Sequence, residues 1–399
     1  MRDPLQSIKA FNQDRDTGLK FKAMTLSPFR FFRGTCSLFY EDYSRSAQIR
    51  DPTHSWICGD LHLANFGTFR GDNRQVYFDM NDFDEAVKAP VTWEITRLLT
   101  SIHVAIHTMG LPAREGDRVA LQCLQEYVEV LASGKSLVSE AGTAQGVLKA
   151  LFRQVSKRTR KELILERTIP GSKPLRIRCD GVHAIPLAPH SRKDLTLRVG
   201  SWFSKQEPTL KSCRILDAAR RIAGTGSLGI ERYILLVTLP EKEGKLRLLD
   251  LKEARASSLD PWLRTSQTHW ANEATRIVTI QKRVQHVSPA LLRALELDGK
   301  TFVLRELQPT EDKMDLEKCD GKVKKLELVL NTMAQLAASG QIRSGGQQGA
   351  SITDTLKAFA LEKSWQPEIL AYAKSYSRQV IRDFAKFIIA YRKGAFRKK

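Results

Sequence analysis

Cysteine is scarce in this chain, and no two cysteines are placed as a pair. The six, at positions 36, 58, 123, 179, 213 and 319 of 399 residues, form no CxxC step. Neither a zinc site nor a disulfide framework is therefore indicated, and a reduced cytoplasm is the expected setting. Long hydrophobic runs are lacking too, because charge interrupts every apolar stretch well short of a membrane span. The opening Met1-Arg2-Asp3-Pro4 has no apolar core of a signal peptide. No Cys/His finger, aromatic-rich RNA signature or internal repeat is found. Acidic residues are in deficit, 44 against 64 Lys and Arg, leaving a net charge of +20. That excess points to an anionic partner: a nucleotide, a phospholipid surface or, on charge alone, nucleic acid. A solvated basic surface explains it as well. What is present, 399 residues with 42% hydrophobic content, suffices for two core-forming lobes.

Two acidic blocks stand out. Gly59-Asp60-Leu61-His62-Leu63-Ala64-Asn65 follows a short strand pattern at Ser55–Cys58, placing an Asp and an Asn five apart in a loop. Phe78-Asp79-Met80-Asn81-Asp82-Phe83-Asp84-Glu85 then gathers carboxylates behind an apolar strand. Between them, Asn65–Arg70 and Gln75–Phe78 read as strands joined by the turn Gly71-Asp72-Asn73-Arg74. Such a hairpin returns Asn65 to the side of Asp79, Asp82 and Asp84. A carboxylate able to take a proton, beside oxygen ligands for Mg²⁺, is what phosphoryl transfer from ATP requires. Just upstream, Arg33 in Phe29-Arg30-Phe31-Phe32-Arg33 stands ready to hold a phosphate or orient a carboxylate, or to make a structural ion pair.

Helical periodicity follows from Ile95 to Met109, with Gly110 as stop, and over 117–133, ending at Gly134. His103 and His107 sit at i and i+4 on the first of these without a third ligand, which favours core or surface roles. Residues 145–170 read as helical and strongly basic, and 172–210 as short strand-like and turn segments. Next comes Gly224-Thr225-Gly226-Ser227-Leu228-Gly229, followed by strand patterns at Tyr233–Val237 and Leu246–Lys252. A dinucleotide fold would place a helix after these glycines. A β-hairpin ending in Lys252 is instead the layout of a kinase glycine-rich loop and its phosphate-binding lysine. Gly224, Gly226, Ser227 and Gly229 are then the phosphate-cradling backbone, and Glu273, at the start of the next helical pattern, is the candidate partner of Lys252. Thr301–Leu307 reads as a strand, 322–338 as a helix, Ser344–Gly349 as a flexible loop and Ile369–Ile388 as a long helix before a basic tail.

Together the two acidic blocks, the glycine stretch and Leu251-Lys252-Glu253-Ala254 resemble the DUF2252 family of bacterial proteins, over most of the chain from about Ser27. That family is similar to aminoglycoside phosphotransferases and other protein-kinase-like enzymes. The resemblance implies an α+β, bilobal, kinase-like fold, with ATP and Mg²⁺ as cofactors and an unidentified hydroxyl acceptor. Asp60 would act on that acceptor with His62 beside it, and Asn65 would hold metal. Counting from Asn65, Asp79 fits the protein-kinase spacing, whereas Asp82-Phe83-Asp84, with Glu94 twelve beyond Asp82, fits the phosphotransferase pattern and makes Asp84 a second metal ligand. The motif order, catalytic loop first and glycine loop some 160 residues later, implies circular permutation. Residues 1–150 would form the catalytic part of the large lobe, 151–320 the small nucleotide lobe, and 321–399 helices returning to the large lobe. A His expected near Ala337 is missing. A catalytically inactive scaffold and an AMP-transferring enzyme remain alternative outcomes of the same resemblance.

Overall fold

A computed structural model describes residues 3–14, 17–46, 49–205, 211–224, 229–239, 245–264, 266–313 and 323–396. The architecture is α+β. Four helices lead in: α1 (Pro4–Phe11), α2 (Gly18–Met24), α3 (Pro28–Gly34) and α4 (Cys36–Ser46). The expected hairpin is present as β2 (Phe66–Arg70) and β3 (Val76–Met80), preceded by β1 (Ser55–Ile57), which pairs with β4 (Val87–Ala89). Two long helices follow, α5 (Val91–Thr108) and α6 (Ala113–Ser133).

The basic stretch expected as one helix is two, α7 (Gly146–Ser156) and α8 (Arg160–Arg167). Thr159 interrupts it: the Thr159 hydroxyl accepts the Glu162 amide while the Glu162 carboxylate accepts the Thr159 amide, a reciprocal cap that starts a new helix. The segment 172–210 departs further from expectation. After the short strands β5 (Thr168–Ile169), β6 (Arg176–Ile177) and β7 (Ala184–Ile185) it contains a helix, α9 (Pro189–Lys205). Leu195, Val199 and Phe203, four apart, form a stripe one side chain wide, too narrow to register as amphipathic.

The middle of the chain builds an antiparallel six-stranded sheet ordered β11-β12-β10-β9-β8-β7. Its members are β8 (Arg214–Arg221), β9 (Arg232–Thr238), β10 (Leu246–Glu253), β11 (Arg293–Leu297) and β12 (Lys300–Leu307), with α10 (Glu273–Val284) between β10 and β11. Strand alternation decides what faces where. Leu235, Val237, Leu249 and Leu251 join α9 in one core, and Ile234, Leu236 and Leu248 join Ile164 of α8 in another. By the same parity Asp250 and Lys252 lie on the Leu248 side of β10.

After β12 the short strand β13 (Asp312–Lys313) pairs with β2, tying the two sheets' regions together. The last helices are α11 (Val323–Arg343), α12 (Thr353–Leu361) and α13 (Trp365–Arg392). They complete the core begun by the first third of the chain. Val329, Met333, Ala337, Leu356 and Trp365 are buried with Trp56, Leu98, Ile102 and Leu124 in one cluster. Each of the larger aliphatic side chains among them contributes about 1.5–3 kcal/mol by burial. The loop expected to be flexible is held, since the Trp56 indole donates to the Gln347 carbonyl (3.0 Å) and Lys88 to that of Gln348 (3.0 Å). In the basic tail, Phe396 packs on Phe21 and Phe387 (both 4.9 Å between ring centres).

Candidate functional site

Gly59 ends the strand at a position only glycine fits. Its φ is +82°, and a Cβ there would lie 2.1 Å from the Glu85 carbonyl oxygen. The loop that follows is fastened from both sides. Arg97 of α5, fully buried, holds the Asp60 carboxylate through Nε (2.8 Å) and Nη2 (2.5 Å). Burial alone would raise the Asp60 pKa, but Arg97 and then His62 outweigh it and hold the group below the usual carboxylate range. His62 Nε2 stands 3.7 Å from Asp60 Oδ2, its ring edge-on to Phe29. Asp60 is thus a persistently ionised acceptor with one oxygen engaged by Arg97. Sequence reasoning missed Arg97, although a lone cation in the apolar run Ile95–Ile106 was a visible signal.

Asn65 is brought beside the second acidic block, as the hairpin required, but its amide is committed to the backbone. Nδ2 donates to the carbonyls of Asp60 (2.9 Å) and Asp82 (3.1 Å), and Oδ1 accepts the Asp82 amide (2.8 Å). Asn65 thereby laces the two loops together. Asn81 belongs to the second of these loops. Its Oδ1 is buried without a hydrogen-bond partner, and the residue lines the cavity described next.

A cavity of about 340 Å³ lies between the sheet and the acidic block. Asp82, Asp84, Gly224 and Lys252 line it together with Arg221 and Arg305. Lys252 Nζ contacts Asp82 Oδ1 at 3.2 Å and also pairs with Asp84 Oδ2. Burial, with the like charge of Asp82, lifts Asp84 to about 6 against the pull of Lys252. Asp79 lies apart. Its Oδ1 accepts the Met80 amide (2.8 Å) and its Oδ2 faces Arg343 (3.5 Å), while burial raises its pKa to about 6. Between the two spacings that the sequence left open, Asp82 is the one at the cavity. Glu94 is buried beneath the first loop, accepting the Cys58 amide (2.7 Å) and the Gln341 side chain (2.9 Å).

Glu273 does not meet Lys252. It pairs with Arg276 Nε (2.6 Å), whose Nη2 donates to the carbonyls of Asp84 and Arg255 (both 2.9 Å). The correction has a simple cause: both acidic residues nearest to Lys252 come from the loop, and the first turn of α10 is engaged in clamping that loop. A second feature escaped the sequence. Asp250 is buried among Arg221 (2.7 Å), Arg232 (2.6 Å) and Arg305 (3.4 Å), which overcome the cost of burial and hold its pKa well below the usual range. This cluster braces the cavity wall next to Lys252. Gly229, with φ +100°, and Gly224 bracket the glycine stretch, and Gly226 and Ser227 lie outside the described residues. His103 and His107 flank a small pocket with Asp117, which pairs with Lys374 (2.8 Å).

Among the described residues no three His, Cys, Asp or Glu side chains are gathered as a metal cage, and no helix is long and apolar enough to cross a membrane. The chain belongs to DUF2252, described as an uncharacterized protein conserved in bacteria, whose family model matches residues 13–390. No curated protein and no solved structure matches it.

Proposed function

We propose that this chain is an ATP- and Mg²⁺-dependent phosphotransferase of circularly permuted, kinase-like organisation, acting on a hydroxyl acceptor. The observation that carries the reading is the convergence of Gly224, Lys252, Asp82 and Asp84 on one cavity, although the two acidic residues precede Lys252 by some 170 positions. Support for the permutation comes from the shared core of the first third and the last helices.

The residues fit a magnesium nucleotide. Mg²⁺ is held by one or two carboxylates plus phosphate oxygens, not by a protein-only cage. Asp82 and Asp84 are partly exposed at the cavity, and Asn81 lines it beside them. The metal would supply charge neutralisation on the phosphates. Asp82 and Asp84 would hold the metal, and Lys252, which reaches both carboxylates, would supply its positive charge to the phosphates. Asp60 would accept the acceptor hydroxyl on Oδ2. Its low pKa suits it to orienting that hydroxyl, and a loose transition state asks for little proton removal before the phosphoryl group moves. The terminal phosphoryl group passes to the acceptor oxygen, ADP departs with the bridging electron pair, and the hydroxyl proton leaves by way of Asp60 to solvent.

Purified chain should show a thermal shift with ATP and Mg²⁺ that Asp82→Ala weakens. No response of the wild type to any nucleotide would sink the proposal. Transfer of label from the α-phosphate and not from the γ-phosphate would replace it with AMP transfer.

A further inference from the structure

We infer that Arg33 forms an oxyanion site beside Asp60, separate from the phosphates of the nucleotide, so that the acceptor hydroxyl belongs to a compound carrying a phosphate ester or carboxylate. The inference rests on the reading of Asp60 as the acceptor-orienting residue.

Arg33 sits in the last turn of α3. Two contacts fasten that turn over the catalytic loop. Arg97, while gripping Asp60, donates through Nη2 to the Phe32 carbonyl (3.3 Å) and lies over the Phe32 ring (4.3 Å). Phe29, one turn earlier, meets the His62 ring at 6.2 Å between centres. The next residue after Phe32 is therefore delivered to the side of Asp60. The guanidinium makes no hydrogen bond and no ion pair among the described residues, and its Nε is buried without a partner. Burial lowers its pKa, and the carboxylates of Asp60 and Asp82 act on it electrostatically without pairing with it.

This arrangement is unlike a structural arginine. Arg97, Arg232 and Arg276 in the same region are each tied to carboxylates or carbonyls. Arg33 is half-buried, and a guanidinium Nε withdrawn from water without a partner among the described residues is a cost to the fold unless a ligand repays it. Its planar fork matches phosphate or carboxylate oxygens two at a time. Asp60 does not repel such an anion as a bare carboxylate would, because Arg97 already balances it. Arg30, exposed one turn before on the same helix, adds positive charge at the approach.

The test is calorimetric titration of the full chain with inorganic phosphate, in wild type, Lys252→Ala, Arg33→Gln and Arg33→Lys. Phosphate binding should persist in Lys252→Ala, weaken at least tenfold in Arg33→Gln and return in part in Arg33→Lys. Arg33→Gln should melt no lower than wild type, since no folded-state partner is lost. Equal affinity in wild type and Arg33→Gln overturns the inference, as does a drop of several degrees in melting temperature, the mark of a structural arginine. Competition with glycerol 3-phosphate and with glycerate identifies which oxyanion the site takes, and displacement by neither removes the acceptor role. The response to ATP and Mg²⁺, read on the same proteins, separates the two proposals. If it is missing while Arg33-dependent phosphate binding remains, the phosphotransferase reading falls and the anion site stands. Nucleotide response without Arg33-dependent binding overturns the anion site alone.

Discussion

At the scale of single residues, the acidic block divides into carboxylates with different work. Asp82 and Asp84 share Lys252 at the cavity, whereas Asp79 is walled in beside Arg343. Asp79 offers a clean pH test. Its native pKa of about 6 lies above the ~3.9 of an unfolded aspartate. Between those values the native state holds the extra proton, so ionising Asp79 costs stability as pH rises from about 4 to about 6. Asp79→Asn removes that slope and keeps an oxygen for the Met80 amide. Relative to wild type, the variant should gain on the order of 2 kcal/mol between pH 4 and pH 7. Urea denaturation at the two pH values measures it, and a difference that stays flat would show that Arg343 fully compensates the charge. Residue type alone hid this division. Phe78 to Glu85 reads as one acidic run, and only alternation along β3 and the turn after it part Asp79 from Asp82.

At the scale of elements, the first loop is built on a backbone crossing. Gly59 passes so close to Glu85 that its missing side chain is a structural requirement, and Glu85 in turn accepts the Ser258 amide (2.5 Å) in the turn after β10. Gly59→Ala should therefore cost about 3 kcal/mol or more, because the obstructing atoms are backbone and cannot swing aside. Gly110 is the control. It also has positive φ, +69°, but nothing lies within 4 Å of an added Cβ, so Gly110→Ala should cost about 1 kcal/mol. Chemical denaturation compares them, and equal losses would reject the crossing as the reason for Gly59. Elements with a strong local signature were legible: the β2–β3 hairpin from its turn residues, α5 and α6 from their periodicity, and the paired strands β9 and β10 that lead to Lys252. Those without one were not. α9 shows only a thin apolar stripe, and the split between α7 and α8 turns on the four residues Thr159-Arg160-Lys161-Glu162, whose capping signature was overlooked within the basic run.

At the scale of the whole molecule, the first third and the last helices are one packing unit. Leu330, Met333 and Leu336 of α11 are buried with Leu124 and Tyr127 of α6, and α13 lies along α5, with Lys374 reaching Asp117 of α6. A chain ending at residue 322 should lose the cooperative unfolding of its first 150 residues, since their apolar faces would meet water. Circular dichroism melting should show no sharp transition, and a preserved one would mean that the N-terminal part carries a sufficient core by itself.

The sequence by itself determined the local units: a glycine-ended strand, a hairpin that returns Asn65 to Asp82, and a second hairpin that ends in Lys252. Each depends on neighbours within a dozen positions, where turn chemistry and periodicity act directly. Tertiary structure decided the pairings between units. It set Lys252 against Asp82 and Asp84 instead of Glu273, committed Asn65 to the backbone, gathered three arginines on Asp250 and left Arg33 without a partner among the described residues. Those outcomes depend on which charged groups packing brings within about 4 Å, and at separations of up to 170 residues no local pattern encodes that distance.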